Sequence, residues 1–201
     1  MTVVIDVRRD DRQAPPLAGA ENAAHGVLFV HSCASAVAPH LEWALARVFG
    51  TAVNVDWASQ PIAPGSVRAE IIWHGPQGTA AKIASALVSF STMRFEVSED
   101  PSAGVEGERY AFTPTLGLFR ATIGSHGDVL VHEDRLRSLL AGARPDDVSG
   151  VNNEVHRLIG TPWDDELEPF RITHEDSTVR VLHEVGSVSY THLRAHETIA
   201  D

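Results

Sequence analysis

Apolar residues change period several times along this chain, and each change marks an element. Val27-Leu28-Phe29-Val30-His31 is a continuous apolar run and predicts a buried central strand. Val37, Leu41, Ala44, Leu45 and Val48 then recur at spacings of three and four, one apolar face of a helix. Ser32 and Ser35 are its capping candidates and Gly50 its stop. Val53, Val55 and Trp57 alternate with Asn54 and Asp56, which predicts a half-buried strand, and Pro61, Pro64 and Gly65 turn the chain. Val67, Ala69, Ile71 and Trp73 alternate with Arg68 and Glu70 in the next strand, broken at Gly75-Pro76-Gln77-Gly78. Ile83, Leu87 and Phe90 share one face of a helix over 79–90. Met93, Phe95 and Val97 alternate with Arg94 and Glu96 in a fourth strand. The order over 26–99 predicts an α+β fold: a ferredoxin-like βαββαβ antiparallel sheet with both helices on one face.

After a loop at 100–107, segments 109–112 and 116–123 read as a hairpin around Thr113-Pro114-Thr115. A short strand at 128–131 and a helix at 133–141 follow, then a second helix capped by Ser149 and carrying Val155, Leu158 and Ile159. Segment 179–182 reads as a last strand. Residues 100–186 are thus expected to form a hairpin and helical extension packed on the open face or an edge of the first unit, since a bare edge invites aggregation. Residues 1–25, polar and irregular around Pro15-Pro16, are expected to be a disordered arm. Segment 188–198 resembles the translation of a transposon-type sequencing adaptor. Residues 187–201 are therefore read as a non-native tail, and His192 and His196 are set aside as ligands.

Composition narrows the classes. Of 201 residues, 43% are hydrophobic and 21% charged, enough to bury a core. The formal net charge of −11 repels a phosphate backbone, so nucleic acid is not an expected partner. Lys82 is the single lysine, and arginine supplies the other positive charge, as a GC-rich source would give. Cys33 is the single cysteine, so no disulfide forms within the chain and no cysteine-based zinc cluster can assemble. No apolar run approaches the ~20 residues of a membrane span. After Arg8-Arg9 come Asp10 and Asp11, where a twin-arginine signal would turn apolar. A cytoplasmic location follows as the expectation.

Several segments together carry a resemblance: Phe29-Val30-His31-Ser32, Pro39-His40-Leu41-Glu42-Trp43-Ala44, Gly78-Thr79-Ala80-Ala81-Lys82, Gly107-Glu108-Arg109-Tyr110, Glu133-Asp134-Arg135-Leu136-Arg137, and Pro162-Trp163 through Phe170-Arg171. In pattern and order they resemble an actinobacterial family of uncharacterised cytoplasmic proteins, a domain-of-unknown-function family, over residues 26–185. The resemblance implies a bacterial cytoplasmic protein and carries no activity, cofactor or catalytic residue.

Candidate chemistry comes in small clusters, each with a plainer account. His31, Cys33 and His40 could hold a metal or activate a thiolate, but their spacing matches no zinc pattern, and a satisfied, half-buried histidine is the plainer reading of His31. His74 ends a strand antiparallel to that of His31, so the two lie ~17 Å apart and share no ion. Asp56, Arg68, Glu70, Arg94 and Glu96 alternate onto the face opposite Trp57, Trp73 and Phe95. There Arg68 or Arg94 could hold a carboxylate or phosphate, with Asp56 or Glu70 as acid or base, or all five could form cross-strand ion pairs. The acids in Thr161-Pro162-Trp163-Asp164-Asp165-Glu166-Leu167-Glu168 suit a cation or, more simply, a helix N-terminus. Gly75 to Thr79 precedes a helix and could hold an anion. Trp43 and Trp163 are expected to be packing anchors.

The reading is a non-enzymatic binding or regulatory module, with no cofactor and no metal. Its partner would be another protein, a small acidic metabolite or a second copy of the chain. The alternative is a small-molecule enzyme with its site between sheet and extension, using His31, His40 or Glu70 with the ligand held by Asp56, Arg68 or Arg94.

Overall fold

The computed structural model describes residues 2–6, 23–144 and 147–171. Its elements run β1 (Thr2–Asp6), β2 (Ala23–Ala34), α1 (Ala38–Phe49), β3 (Ala58–Ser59), β4 (Ser66–Pro76), α2 (Thr79–Leu87), β5 (Arg94–Glu99), β6 (Gly107–Thr113), β7 (Gly117–Ile123), β8 (Val129–Leu130), α3 (Glu133–Gly142), α4 (Val148–Ile159) and α5 (Thr161–Arg171). All eight strands join one mixed sheet in the order β1-β4-β2-β5-β6-β7-β8, with β3 paired to β4. Only the β1–β4 pair is parallel.

This departs from a four-stranded antiparallel sheet in two ways. The hairpin β6–β7 continues the sheet from the edge of β5, where unpaired N–H and C=O groups would otherwise face solvent. Thr2–Asp6, expected in a disordered arm, pairs with β4, as its β-branched Thr-Val-Val-Ile run favours. Residues 23–25 likewise lengthen β2. The strand expected at 179–182 and the adaptor-like segment lie outside the described residues.

Strand alternation builds a layer on each face. Leu28, Val30, Ile71, Trp73, Phe95 and Val97 point to one side, where α1 adds Leu41, Leu45 and Phe49 and α2 adds Ile83 and Leu87. At Gly26 a Cβ would sit 1.9 Å from the Ser98 carbonyl oxygen, so only glycine lets these strands close. On the other side Ala111, Phe119 and Ala121 meet Trp163 and Leu167 of α5 in a second cluster.

The alternation at Val53, Val55 and Trp57 does not become a strand. Glu42 Oε1 instead accepts from the Val55 amide at 3.0 Å and from Trp57 Nε1 at 2.9 Å, so a helix carboxylate holds this segment in place of a neighbouring strand. Trp43 is no anchor: it is 66% exposed, because it lies about 200° round α1 from both Leu41 and Leu45. Asp147, rather than Ser149, caps α4 by accepting from the Gly150 amide at 2.8 Å. Neither α3 nor α4 buries a residue.

Candidate functional site: a polar cluster beneath the last helix

In β5 the residues that alternate with Phe95 and Val97 face α5, and Glu96 is central among them, flanked by Phe29 of β2 and Ala111 of β6. A β-bulge after Val30 interrupts the register of β2 with both neighbours, and His31 sits at that interruption. His31 Nε2 and Glu96 Oε2 are 2.7 Å apart, both side chains buried. The His31 ring stacks on Phe29 at 6.0 Å, and its carbonyl accepts from Gln60 Nε2 at 2.5 Å.

Two arginines close on the same carboxylate. Arg109 of β6 donates from Nη2 to Glu96 Oε1 and to Asp164 Oδ1, each at 2.5 Å. Arg171 donates from Nε to Glu96 Oε2 at 3.0 Å and from Nη2 to Asp164 Oδ1 at 2.9 Å. Asp164 and Arg171 are seven residues apart on α5, two turns along one face. At the margin Arg94 donates to Glu166 at 3.2 Å and lies 4.6 Å over the Phe170 ring.

Burial alone would push the Glu96 carboxyl up. The His31 hydrogen bond, with the His31, Arg109 and Arg171 charges, instead holds it well below the usual carboxylate range. An ionised carboxylate only accepts, so His31 Nε2 carries the hydrogen between them. Burial would lower Arg109 and Arg171, but Glu96 and Asp164 raise both. Two guanidiniums between two carboxylates balance their charge. Glu96 is therefore a poor base at neutral pH, and the cluster acts as a clamp that fastens α5 to the sheet.

The structure separates the other sequence candidates. Cys33 faces the α1–α2 core, and burial pushes its thiol up to about 11, so it is not an activated nucleophile. His40 is exposed on α1, edge-on to Trp43 at 5.1 Å, and does not join His31. Arg68 and Glu70 are half-buried in β4, with Glu70 beside Phe29 in register. Asp56 is exposed before β3 and stands outside the sheet row to which alternation assigned it. The N-terminus of α2, read as an anion site, is filled from within: Glu99 accepts from the Gly78 amide at 2.8 Å and the Ala80 amide at 3.1 Å. Among the described residues, no three His, Cys, Asp or Glu side chains converge to hold a metal ion.

Sequence reasoning placed Glu96 on the correct face but missed Arg109, Asp164 and Arg171 as its partners. Two signals were available. Arg109 shares a strand face with Ala111 and stands opposite Ala121, small neighbours that leave room for a guanidinium. The seven-residue spacing of Asp164 and Arg171 is a helix face that bears opposite charges.

Fold and cluster together define an α+β protein whose last described helix is fastened across a mixed sheet by a buried carboxylate–guanidinium clamp. The chain belongs to DUF3145, a family of proteins of unknown function, whose model matches residues 27–184. No curated protein and no solved structure matches it.

Proposed function

We propose that this chain is a non-enzymatic module that binds another protein through the α3–α4 hairpin. One observation carries the reading. Both helices are amphipathic and neither buries a residue, so Leu136, Leu140, Val148, Val155 and Ile159 all remain exposed. Exposed apolar side chains that cluster on one element mark an interaction surface. The polar centre supports the same reading from the other side: Arg94, Arg109 and Arg171 are each engaged by a carboxylate of the chain itself, which disfavours a small acid as ligand.

The core that carries the hairpin is read as ferredoxin-like. Strands β3-β4-β2-β5 are adjacent in that order and mutually antiparallel, with α1 and α2 against one face, which supports it. A place in the cytoplasm of a GC-rich, actinobacterial cell is part of the proposal, supported by the single lysine. Among the described residues no helix is long and apolar enough to cross a membrane.

The test is the paired variant Leu140→Glu/Val148→Glu, studied in dilute solution. A melting temperature close to the parent's, with loss of binding of an apolar dye, supports an exposed recognition face. A fall of about 10 °C or more would place these side chains inside the folded chain and overturn the reading.

A further inference from the structure

We propose that the partner on the α3–α4 face is a second copy of this chain, the two hairpins pairing about a two-fold axis. The inference rests on the reading of that hairpin as a recognition surface.

The first argument is geometric. A groove of about 770 Å³ separates α3 from α4. Asp134 and Leu158 line one end, Leu139 and Val151 the middle, and Ala143 and Asp147 the end near the connecting loop. The start of α3 therefore lies beside the end of α4, and the helices run in opposite directions. At 100° per residue, Leu136 and Leu140 lie roughly 150° round α3 from its groove side. Val148, Val155 and Ile159 lie roughly 120° round α4 from its groove side, in the same rotational sense. For helices of opposite direction, equal sense puts both stripes on one side of the hairpin. The five exposed side chains thus form one apolar face, not two scattered edges.

The second argument is charge. Two chains of net charge −11 repel, so a self-pairing surface must be locally neutral. The hairpin is. Among its described residues Glu133, Asp134, Asp147 and Glu154 are matched by Arg135, Arg137, Arg144 and Arg157. The order of those charges also suits a two-fold axis. With α4 antiparallel to its copy about Asn152, Asp147 of one chain lies level with Arg157 of the other. A partner chosen for opposite charge would instead meet the acidic remainder of the molecule.

Size sets the strength. Helices of 10 and 12 residues, about 15–18 Å long and ~10 Å apart, bury roughly 1,000 Å² in a symmetric pair. That is the lower end of specific interfaces, so the association is concentration-dependent.

Sedimentation equilibrium of the full chain from about 1 to about 200 µM is the test. The expected mass rises from 21.7 kDa towards twice that value with concentration. Leu140→Glu/Val148→Glu should stay at the monomer mass throughout, while Trp43→Ser, which removes an exposed apolar side chain elsewhere, should dimerise as the parent does. A parent that is monomeric throughout overturns self-pairing. If the glutamate variant then keeps its melting temperature, the face survives as a surface for a different protein. If it melts far lower, the recognition face falls too. A dimer that persists in the glutamate variant overturns the placement of the interface.

Discussion

Glu96 sits beneath α5 with three charged or polar partners and almost no solvent, which makes its removal asymmetric. Glu96→Ala would leave Arg109 and Arg171 with one carboxylate, Asp164, between them. A loss of about 3–5 kcal/mol in urea denaturation is the expected result, and a loss under ~1 kcal/mol would show the clamp is dispensable. Cys33 makes a second residue-scale prediction. With its thiol near 11 and 1% exposed, less than about 0.1% is thiolate at pH 7.5. Maleimide should label the chain only under denaturing conditions; labelling of the folded protein within minutes would contradict that burial. Gly160, at φ 91°, ends α4 in the left-handed region, and a Cβ there would stand 2.7 Å from a Phe119 ring carbon. Gly160→Ala should therefore cost about 1–3 kcal/mol, read from the shift in urea midpoint. At this scale the sequence was legible wherever a residue's role depends on strand parity, as for Glu96. It was illegible for the partners, because Arg109 and Arg171 lie 13 and 75 residues away and no local pattern joins them.

Among the elements, α5 shows how one segment serves two purposes. Its first turn bears acids as a helix N-terminus should, yet Asp164 and Glu166 also reach arginines on the sheet. Trp163 anchors it, packed on Phe119 at 4.9 Å and donating from Nε1 to the Gly117 carbonyl at 2.9 Å. Trp163→Ala should destabilise by about 3–5 kcal/mol, and an unchanged melting temperature would refute the anchor. Period-two and period-3.6 patterns predicted α1, α2, β4, β5 and the β6–β7 hairpin close to where they form. They failed at 53–57, where Glu42 supplies the hydrogen bonds a strand would have sought, and at Trp43, where the size of the side chain was taken for burial although its phase on the helix faces outward.

For the whole molecule, the sheet is wider than local patterns could show, since which strand lies beside which depends on contacts across the chain. Its stability should depend on pH through its buried carboxylates. Burial would raise Glu108, but Tyr110 and Arg120 hold it down, as His31 and the arginines hold Glu96. Unfolded, both carboxyls take up protons near 4.3; folded, they resist to lower pH. Their contribution is complete above that value and is lost as pH falls through their folded values. The melting temperature should fall steeply below about pH 4, and a flat profile to pH 3 would contradict the clamp. The bulge in β2 has a consequence for how this chain can change length. Before it, even-numbered residues such as Leu28 and Val30 face the α1–α2 core; after it, odd-numbered Cys33 does. Loss of one codon at Ser32 would restore a regular strand and leave every flanking side chain on its present side. Loss of a codon at Phe29 would instead invert one part of the strand against the other. Relatives that differ by a single residue in this strand should therefore carry the gap at the bulge.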